Sequence, residues 1–321
     1  MEIFKTITLT MNNKIIKINL NHSFIFFLFC NFFSLLVLKL NDLIISTPIC
    51  LLLILIIGVS HGALDHMKGK KLFKILNIKK ISFFYLSYTL IAISIILMWI
   101  VLPSVSLIIF LIVASFHFGK EDTQFLIREN SYLNQILFFL KGLMIILAPM
   151  FFHFDETVFI FKLLLADSET FYLALNFIET NKILHVGIIL STFASTYLYL
   201  KKFEIKKFSI FLDYFSIIIL NYYLSPLVAF TIYFCFLHSI RHSITLIYDL
   251  DINNFNNGLI QFIKKALPLT FLTAIFCLIS LYLLNNSYDL DSSILKIIFI
   301  GLASLTFPHI LLEYFLEKNE K

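Results

Sequence analysis

The chain has 321 residues, of which 60% are hydrophobic and only 14% are charged. Soluble domains are closer to half apolar and about a quarter charged, so this composition predicts a protein with many membrane-spanning segments. The net charge of +5 is modest, and the lysines stand in short clusters between apolar runs. That pattern is typical of cytoplasmic loops and argues against a nucleic-acid-binding surface.

Ten apolar segments are long enough to cross a bilayer, which takes about 17–25 residues each. The predicted fold is therefore all-α, a polytopic helical bundle of about ten transmembrane helices. A single membrane domain, 23–316, lies between an N-terminal segment, 1–22, and a tail, 317–321. We interpret 153–182 as a long loop whose apolar piece, 157–165, lies in the membrane interface. The predicted spans are 23–40, 43–62, 81–102, 104–119, 132–152, 183–200, 207–224, 226–247, 264–284 and 293–316.

The basic residues predict an orientation for this bundle. Nineteen of the 25 Lys and Arg residues fall in connections on one side, and only three fall on the other. Because cytoplasmic loops are rich in Lys and Arg, both termini are predicted to be cytoplasmic. The span count depends on tight hairpins at Pro103 and Pro226. The nineteen residues are Lys5, Lys14, Lys17, Lys68, Lys70, Lys71, Lys74, Lys79, Lys80, Lys120, Arg128, Lys201, Lys202, Lys206, Lys207, Lys264, Lys265, Lys318 and Lys321.

Ionisable residues interrupt spans two, four, eight and ten near their predicted cytoplasmic ends. Such residues at membrane depth are costly and by default mark a functional site. Because these four spans run in one direction, their polar residues are expected at one level of the inner leaflet. They are His61, Asp65, His66, His117, His238, His242 and His309.

The spacing of these residues predicts a metal site. His238 and His242 are spaced i, i+4, which places both imidazoles on one helix face. Imidazole is a common ligand for iron, copper and zinc, and His61 and His117 would complete four nitrogen ligands. Asp65, four residues after His61, is expected either to bind the metal or to orient a histidine ring.

Other polar residues near these histidines leave alternatives open. His309 follows Pro308 and could be a fifth ligand, a group that orients a ligand, or a pore-lining residue. His66 could simply face the lysine-rich loop. We interpret Glu121 and Asp122 as a solvated helix cap.

Three further residues near the proposed ligands also have predicted roles. Arg241 is expected to reach the membrane surface or to pair with a carboxylate such as Asp249. Gly62 and Gly119 predict close helix packing beside the ligands.

Histidine ligation without cysteine disfavours a structural zinc site or an iron–sulfur cluster, and suits a redox metal with open positions for dioxygen. Apolar walls predict a substrate that arrives from the lipid. The leading hypothesis is an iron-dependent oxygenase acting on a lipophilic molecule. One alternative is a desaturase-like or hydroxylase-like oxidase, which needs two irons and more histidine boxes. The other is a transporter, which predicts ionisable residues spread across the membrane.

The sequence resembles the Brp/Blh family, which comprises membrane beta-carotene 15,15'-dioxygenases of bacteria and archaea. The resemblance extends from about residue 44 to 316 and is carried by SHGALDH at 60–66, SFHFG at 115–119, HSIRH at 238–242 and PH at 308–309. One departure is Val59–Ser60, where the family commonly has a proline before the histidine.

The resemblance implies cleavage of beta-carotene at its central 15,15' double bond by dioxygen, giving two molecules of all-trans-retinal. It implies Fe²⁺ held by His61, His117, His238 and His242, with Asp65 at the position of a family aspartate. It also implies a multi-pass protein of the cell inner membrane whose retinal product passes to a microbial rhodopsin.

A carotene substrate would need a long apolar tunnel whose depth selects the double bond. Aromatic residues beside the ligands are predicted wall residues, with ordinary helix packing as the alternative. They are Phe116, Phe118, Tyr233, Phe234 and Phe236.

Overall fold

The computed structural model describes residues 2–40, 45–127, 131–164 and 169–319, with side chains from residue 13 onward. The first two positions of the predicted span 43–62 lie outside the described residues, as do Arg128, Leu165 and Lys321. Within the described ranges the chain forms helices and turns and no β-strand. The predicted all-α class is therefore confirmed.

The described chain contains fifteen α-helices joined by short connections, with π-helical and 3₁₀ segments beside some of them. They are α1 (Glu2–Lys39), α2 (Thr47–Leu53), α3 (Asp65–Ile75), α4 (Ser82–Val101), α5 (Pro103–Glu121), α6 (Tyr132–Gly142), α7 (Met144–Phe152), α8 (Phe154–Leu164), α9 (Glu169–Thr180), α10 (Ile183–Leu200), α11 (Phe208–Tyr223), α12 (Pro226–Ile232), α13 (Ile240–Leu250), α14 (Phe255–Leu284) and α15 (Leu290–Asn319).

Nine helical segments in the described part of the chain are long and apolar enough to span a membrane. They correspond to nine of the ten predicted spans. The tenth, 207–224, corresponds to α11, which has 16 residues and is shorter than the others. The nine are Asn13–Lys39, Thr47–Ile75, Ser82–Val101, Pro103–Glu121, Tyr132–Phe152, Ile183–Leu200, Pro226–Leu250, Phe255–Leu284 and Leu290–Asn319.

Proline begins the second helix of both predicted hairpins. Pro103 is the first residue of α5, directly after Leu102 leaves the helical conformation with φ −134°. Pro226 is the first residue of α12, after Ser225 with ψ 152°. A proline at this position costs no backbone hydrogen bond and fixes a helical φ, so the predicted helix boundaries at both prolines are confirmed.

The prediction of a loop over 153–182 is wrong, because α8 and α9 occupy most of that stretch. Thr157, Ile160, Phe161 and Leu164 recur at helical spacing and are all buried, so α8 is stabilised by packing against the core. At 11 residues α8 is too short to span, as expected from the sequence.

The degree of burial separates the centre of the bundle from its periphery. Within the span Pro226–Leu250, 78% of the apolar window is buried, the largest share among the nine. None of the apolar window of α14 is buried, so this helix faces the lipid along most of its length. Residues on α12 and α13 are therefore at the centre of the molecule, and α14 forms one outer wall.

Glycines permit the closest helix contact, between α5 and α6. A Cβ atom added at Gly119 would lie 1.8 Å from the carbonyl oxygen of Phe138, and one added at Gly142 would lie 1.9 Å from that of Ser115. The predicted packing role of Gly119 is thus confirmed. The same prediction for Gly62 is wrong, because a Cβ there would meet no atom within 4 Å.

Candidate metal centre and cavity

Two of the candidate histidines depend on π-helical segments. The segment Ile54–Gly58 precedes the turn that carries His61, and the segment Tyr233–Ser239 carries His238. The extra residue per turn in a π-helix shifts the following side chains around the axis, and such segments are frequent at functional sites. After the turn at His61 the chain continues as helix α3, within the connection 63–80 that the predicted spans leave between them.

The two π-helical segments pack directly against each other. The hydroxyl of Ser239 donates to the carbonyl oxygen of Gly58 at 3.2 Å. A Cβ atom at Gly58 would lie 2.5 Å from the ring of Phe234, so glycine is needed for this approach. On the other side, Nε2 of His22 in α1 donates to the carbonyl oxygen of Phe236 at 2.8 Å. These contacts hold His61 and His238 in a fixed relation.

Five buried histidines from four spans meet in one cluster, with adjacent ring centroids 5.1–5.6 Å apart. The structure brings together all four histidines that the resemblance assigns to iron, and it adds the fifth. The five are His61, His117, His238, His242 and His309.

Three of these rings are oriented in the same way. In each ring the Nδ1 atom contacts a carboxylate. An ionised carboxylate can only accept a hydrogen bond, so Nδ1–H is the donor. In a neutral imidazole the Nε2 atom then carries no proton. The pairs are His238 with Asp122 at 3.3 Å, His242 with Glu121 at 3.2 Å and His309 with Asp65 at 2.8 Å. Carboxylates commonly fix metal-binding histidines in this manner.

Several ring nitrogens in the cluster are buried without a hydrogen-bond partner: Nδ1 of His61, Nε2 of His238 and Nε2 of His309. Buried polar atoms are usually paired, and each unpaired one costs free energy. A bound metal ion would satisfy these lone pairs. The donor set therefore fits a metal.

Glu313 is a member of the cluster that sequence reasoning missed. Its Oε1 atom lies 3.5 Å from Nε2 of His309 and 3.6 Å from Nε2 of His242. It also lies 2.6 Å from the ammonium of Lys68, which in turn is 3.1 Å from Nε2 of His242. Ligand atoms of His117, His309 and Glu313 all lie within 4.8 Å of one another. The available signal was the i, i+4 spacing of His309 and Glu313 on α15.

The interpretation of Glu121 and Asp122 as a solvated cap is wrong. Both carboxylates face inward toward histidines, and Asp122 is only 2% exposed. The hydroxyl of Tyr233 donates to Asp122 at 2.6 Å. Burial alone would raise the pKa of Asp122, but the hydrogen bond from His238 and the nearby cationic groups hold this pKa below its usual range.

Arg241 is buried rather than directed to the membrane surface, and its partner is not Asp249. It binds Asp213 of α11 through two hydrogen bonds, at 2.8 and 3.2 Å. It also donates to the carbonyl oxygen of Asp122 at 3.0 Å. The expected pairing with a carboxylate is right, but it joins α13 to α11 and to the end of α5.

Asp65 and His66 lie on different sides of their helix. Asp65 is buried, accepts from His309 and from the hydroxyl of Tyr88 at 2.9 Å, and makes no hydrogen bond to His61. His66 is half-buried, and its Nδ1 donates to the carbonyl oxygen of Ala63 in the preceding turn at 3.0 Å. The geometry thus associates Asp65 with the cluster and His66 with its own helix.

The cluster forms one end of a cavity of about 370 Å³, here named the proximal cavity, which is lined by His61, His117, His238 and His309. The rest of its wall is largely apolar and includes Phe118 and Phe234, two of the predicted aromatic residues. The other three, Phe116, Tyr233 and Phe236, do not line this cavity.

Comparison with known proteins gives a match over most of the chain. A sequence model of the family described as Beta-carotene 15,15'-dioxygenase matches residues 52–317. The chain belongs to this family. It is also 27% identical over 263 residues to the Beta-carotene 15,15'-dioxygenase of an uncultured marine bacterium, 66A03, covering 82% of this chain and 90% of that protein. No solved structure matches.

Membership of the beta-carotene 15,15'-dioxygenase family makes this chain a carotenoid-cleaving dioxygenase. The matched range contains the five clustered histidines together with Asp65, Glu121, Asp122 and Glu313. It excludes all of α1, whose His22 contacts the π-helical segment of His238.

Proposed function

We propose that this protein cleaves beta-carotene at its central 15,15' double bond with dioxygen and releases two molecules of all-trans-retinal. The observation that carries the proposal is the cluster of five buried histidines, four of which line an apolar cavity, in a chain of this family. The relative from the marine bacterium bears the name of the same activity.

Ferrous iron is the proposed metal, held by His61, His117, His238 and His242. His309 is a further proposed ligand, because its ring is fixed by Asp65 just as Asp122 fixes His238. Neutral imidazoles suit iron that must leave positions open, and the iron would bind and activate dioxygen.

The protein's own contribution is to orient the ligands and to place the polyene. Asp122, Glu121 and Asp65 each fix one imidazole ring, and Tyr88 and Tyr233 hold two of these carboxylates in place. The apolar wall excludes water and gives the hydrocarbon no hydrogen-bond partner, so the position of cleavage is determined by shape. The ring of Phe118 packs 4.7 Å from the ring of His238, and both rings line the proximal cavity.

The proposed route of the substrate is from the lipid, between α4 and α14. Both helices line the proximal cavity, through residues that include Tyr85 and Phe276, which are 44% and 61% exposed. Exposed apolar side chains at a cavity rim suit entry from the bilayer. We place the protein in the cell inner membrane, with retinal passed to a microbial rhodopsin.

Substitution of a proposed ligand tests this function. We expect His238→Ala to abolish retinal formation from beta-carotene and to lower the iron content of the purified protein, because the remaining rings cannot replace its buried Nε2 atom. Retinal would be measured by chromatography and iron by elemental analysis. His185→Ala is the matched control, because its ring packs against Phe151 outside the cluster.

Retinal formation at the wild-type rate by the His238→Ala variant would overturn the ligand assignment. Two tightly bound iron atoms per chain would favour a desaturase-like or hydroxylase-like oxidase. A wild-type protein that binds no metal would favour the transporter.

A further inference from the structure

A second cavity, of about 670 Å³, adjoins the proximal cavity and is here named the distal cavity. Its wall includes Trp99, Gly301 and Leu284, and it contains none of the clustered histidines. The two cavities have five wall residues in common, so they adjoin each other. The common residues are Val59, Thr273, Phe276, Leu302 and Leu305.

Polar contacts fix one part of the distal cavity wall. The indole nitrogen of Trp99 donates to the carbonyl oxygen of Leu164 at 2.9 Å. The ammonium of Lys296 donates to the carbonyl oxygen of Leu163 and lies 4.5 Å from the ring centre of Tyr288. These contacts tie α4, α8 and α15 together, so this part of the wall is held in place.

The helix α15 contributes wall residues to both cavities, so positions along this helix give an approximate distance scale. Gly301 precedes His309 by eight residues, or about 12 Å at 1.5 Å per residue, and Lys296 precedes it by thirteen, or about 20 Å. A carotenoid bound with its central double bond near the histidines would extend its polyene past Gly301 and its terminal ring toward Trp99.

Gly301 leaves space in the distal cavity that another residue would fill. A Cβ atom added there meets no heavy atom within 4 Å, although Gly301 lines the cavity in the middle of a helix. Glycine is unfavourable inside a helix by about 1 kcal/mol relative to alanine. Its presence here is explained if the space is required by a bound molecule.

We propose that the distal cavity binds one ring-bearing half of the carotenoid, and that the space between Gly301 and Trp99 determines which double bond lies at the histidines. This inference rests on the proposed function. The specificity residues are Gly301, which leaves room for the chain, and Trp99, which bounds the ring position.

The test is to place a large side chain in the distal cavity by substitution of Gly301 and to compare kcat/KM for two substrates. One substrate is beta-carotene. The other is an apocarotenal that keeps one ring but is shortened on the other side of the central bond, so its short end fits a partly filled cavity. Because burial of a ring-sized apolar group is worth at least about tenfold in affinity, we expect Gly301→Phe to lower kcat/KM for beta-carotene about tenfold or more.

The shortened substrate is expected to retain a kcat/KM close to that of the wild type in the Gly301→Phe variant. Gly301→Ala should lower kcat/KM for beta-carotene much less than Gly301→Phe does, because a methyl group leaves most of the cavity open. Leu278→Phe, on the lipid-facing side of α14 and outside both cavity walls, is the control for an added ring. Equal loss for both substrates, or no loss for either, would overturn the proposal.

A binding measurement separates this inference from the proposed function. In the His238→Ala background, beta-carotene retained by the purified full-length protein in lipid nanodiscs is measured by its absorbance. Addition of Gly301→Phe should reduce retention about tenfold, whether or not the wild type produces retinal. Failure of the wild type to cleave beta-carotene would overturn the function, and unchanged retention would overturn the role of the distal cavity.

Discussion

A buried imidazole can bind a metal only if the nitrogen that faces the metal carries no proton. Three carboxylates determine this at three rings of the cluster, with Nδ1 to oxygen distances of 2.8–3.3 Å. His309 has the shortest of these contacts, to Asp65, and its Nε2 atom is buried without a hydrogen-bond partner. His66, one residue after Asp65, instead uses Nδ1 for a carbonyl oxygen of its own helix. The two histidines that the sequence leaves unresolved are thus distinguished by their partners.

We expect His309→Ala to weaken iron binding by at least about tenfold, since even loss of an orienting partner of a ligand costs ten- to one-hundredfold. His66→Ala should leave the iron affinity at its wild-type value, because its Nδ1 atom bonds within its own helix and its ring, although it lines the proximal cavity, is not in the histidine cluster. Iron content would be measured after dialysis against a series of chelator concentrations. Equal iron affinity in the two variants would contradict the distinction, and melting curves would show whether both remain folded.

The distinction could not be made from the sequence, because His309 and Asp65 are 244 positions apart. The same reason explains the misinterpretation of Glu121 and Asp122. Charged residues after a transmembrane helix usually face water, and nothing local shows that α13 and α15 cover this helix end. The i, i+4 pair His238 and His242 was recognisable, because both of its members lie on one short segment.

At the scale of elements, apolar composition predicts where the helices lie but not how their backbones deviate from regularity. The π-helical segments Ile54–Gly58 and Tyr233–Ser239 are apolar throughout most of their length and look like ordinary spans. Their deviation arises from packing between the two segments, which involves a glycine and a ring from distant parts of the chain. Glycine content is visible in the sequence, but the partner of each glycine is not. Gly119 and Gly62 illustrate this, since only the first makes a close helix contact.

We expect Gly119→Ala and Gly142→Ala each to destabilise the protein by about 3 kcal/mol or more. The added methyl group would meet a backbone carbonyl oxygen at less than 2 Å, and a backbone cannot move aside as a side chain can. Gly301→Ala is the matched control, because the same change in an open position should be neutral or stabilising by about 1 kcal/mol. Thermal unfolding of the purified variants in detergent measures the difference. Melting temperatures for Gly119→Ala equal to those of Gly301→Ala would contradict it.

At the scale of the whole molecule, the histidine cluster constrains the number of membrane crossings. His117 lies in the last turn of α5, and His242 lies toward the end of the span Pro226–Leu250. Their shared neighbour His238 is 5.3 Å from His117. If both spans run in the same direction, as the sequence predicts, an odd number of crossings separates them. Two of these are the apolar segments Tyr132–Phe152 and Ile183–Leu200, so we predict that α11, despite its 16 residues, is the third.

The buried pairing of Asp213 with Arg241 supports a crossing by α11 at this depth, since it joins that helix to the centre of the bundle. At about 1.5 Å per residue, α11 is about 24 Å long, somewhat short of the roughly 30 Å hydrocarbon core. A short span can be accommodated by local thinning of the bilayer. With α11 included, the chain crosses ten times and its two ends lie on one side. The excess of basic residues predicts that this side is the cytoplasm.

Reporter fusions test both parts of this topology. A fluorescent protein that folds only in the cytoplasm should be active after Lys318 and after Lys202, and alkaline phosphatase, which folds only outside it, should be active after Ser225. Phosphatase activity after Lys318 together with fluorescence after Lys202 would mean an odd number of crossings between these two positions. Phosphatase activity after Lys202 combined with fluorescence after Ser225 would keep α11 as a crossing but invert the molecule. Because Lys202 and Ser225 flank α11 directly, the two reporters are expected on opposite sides if α11 crosses the membrane.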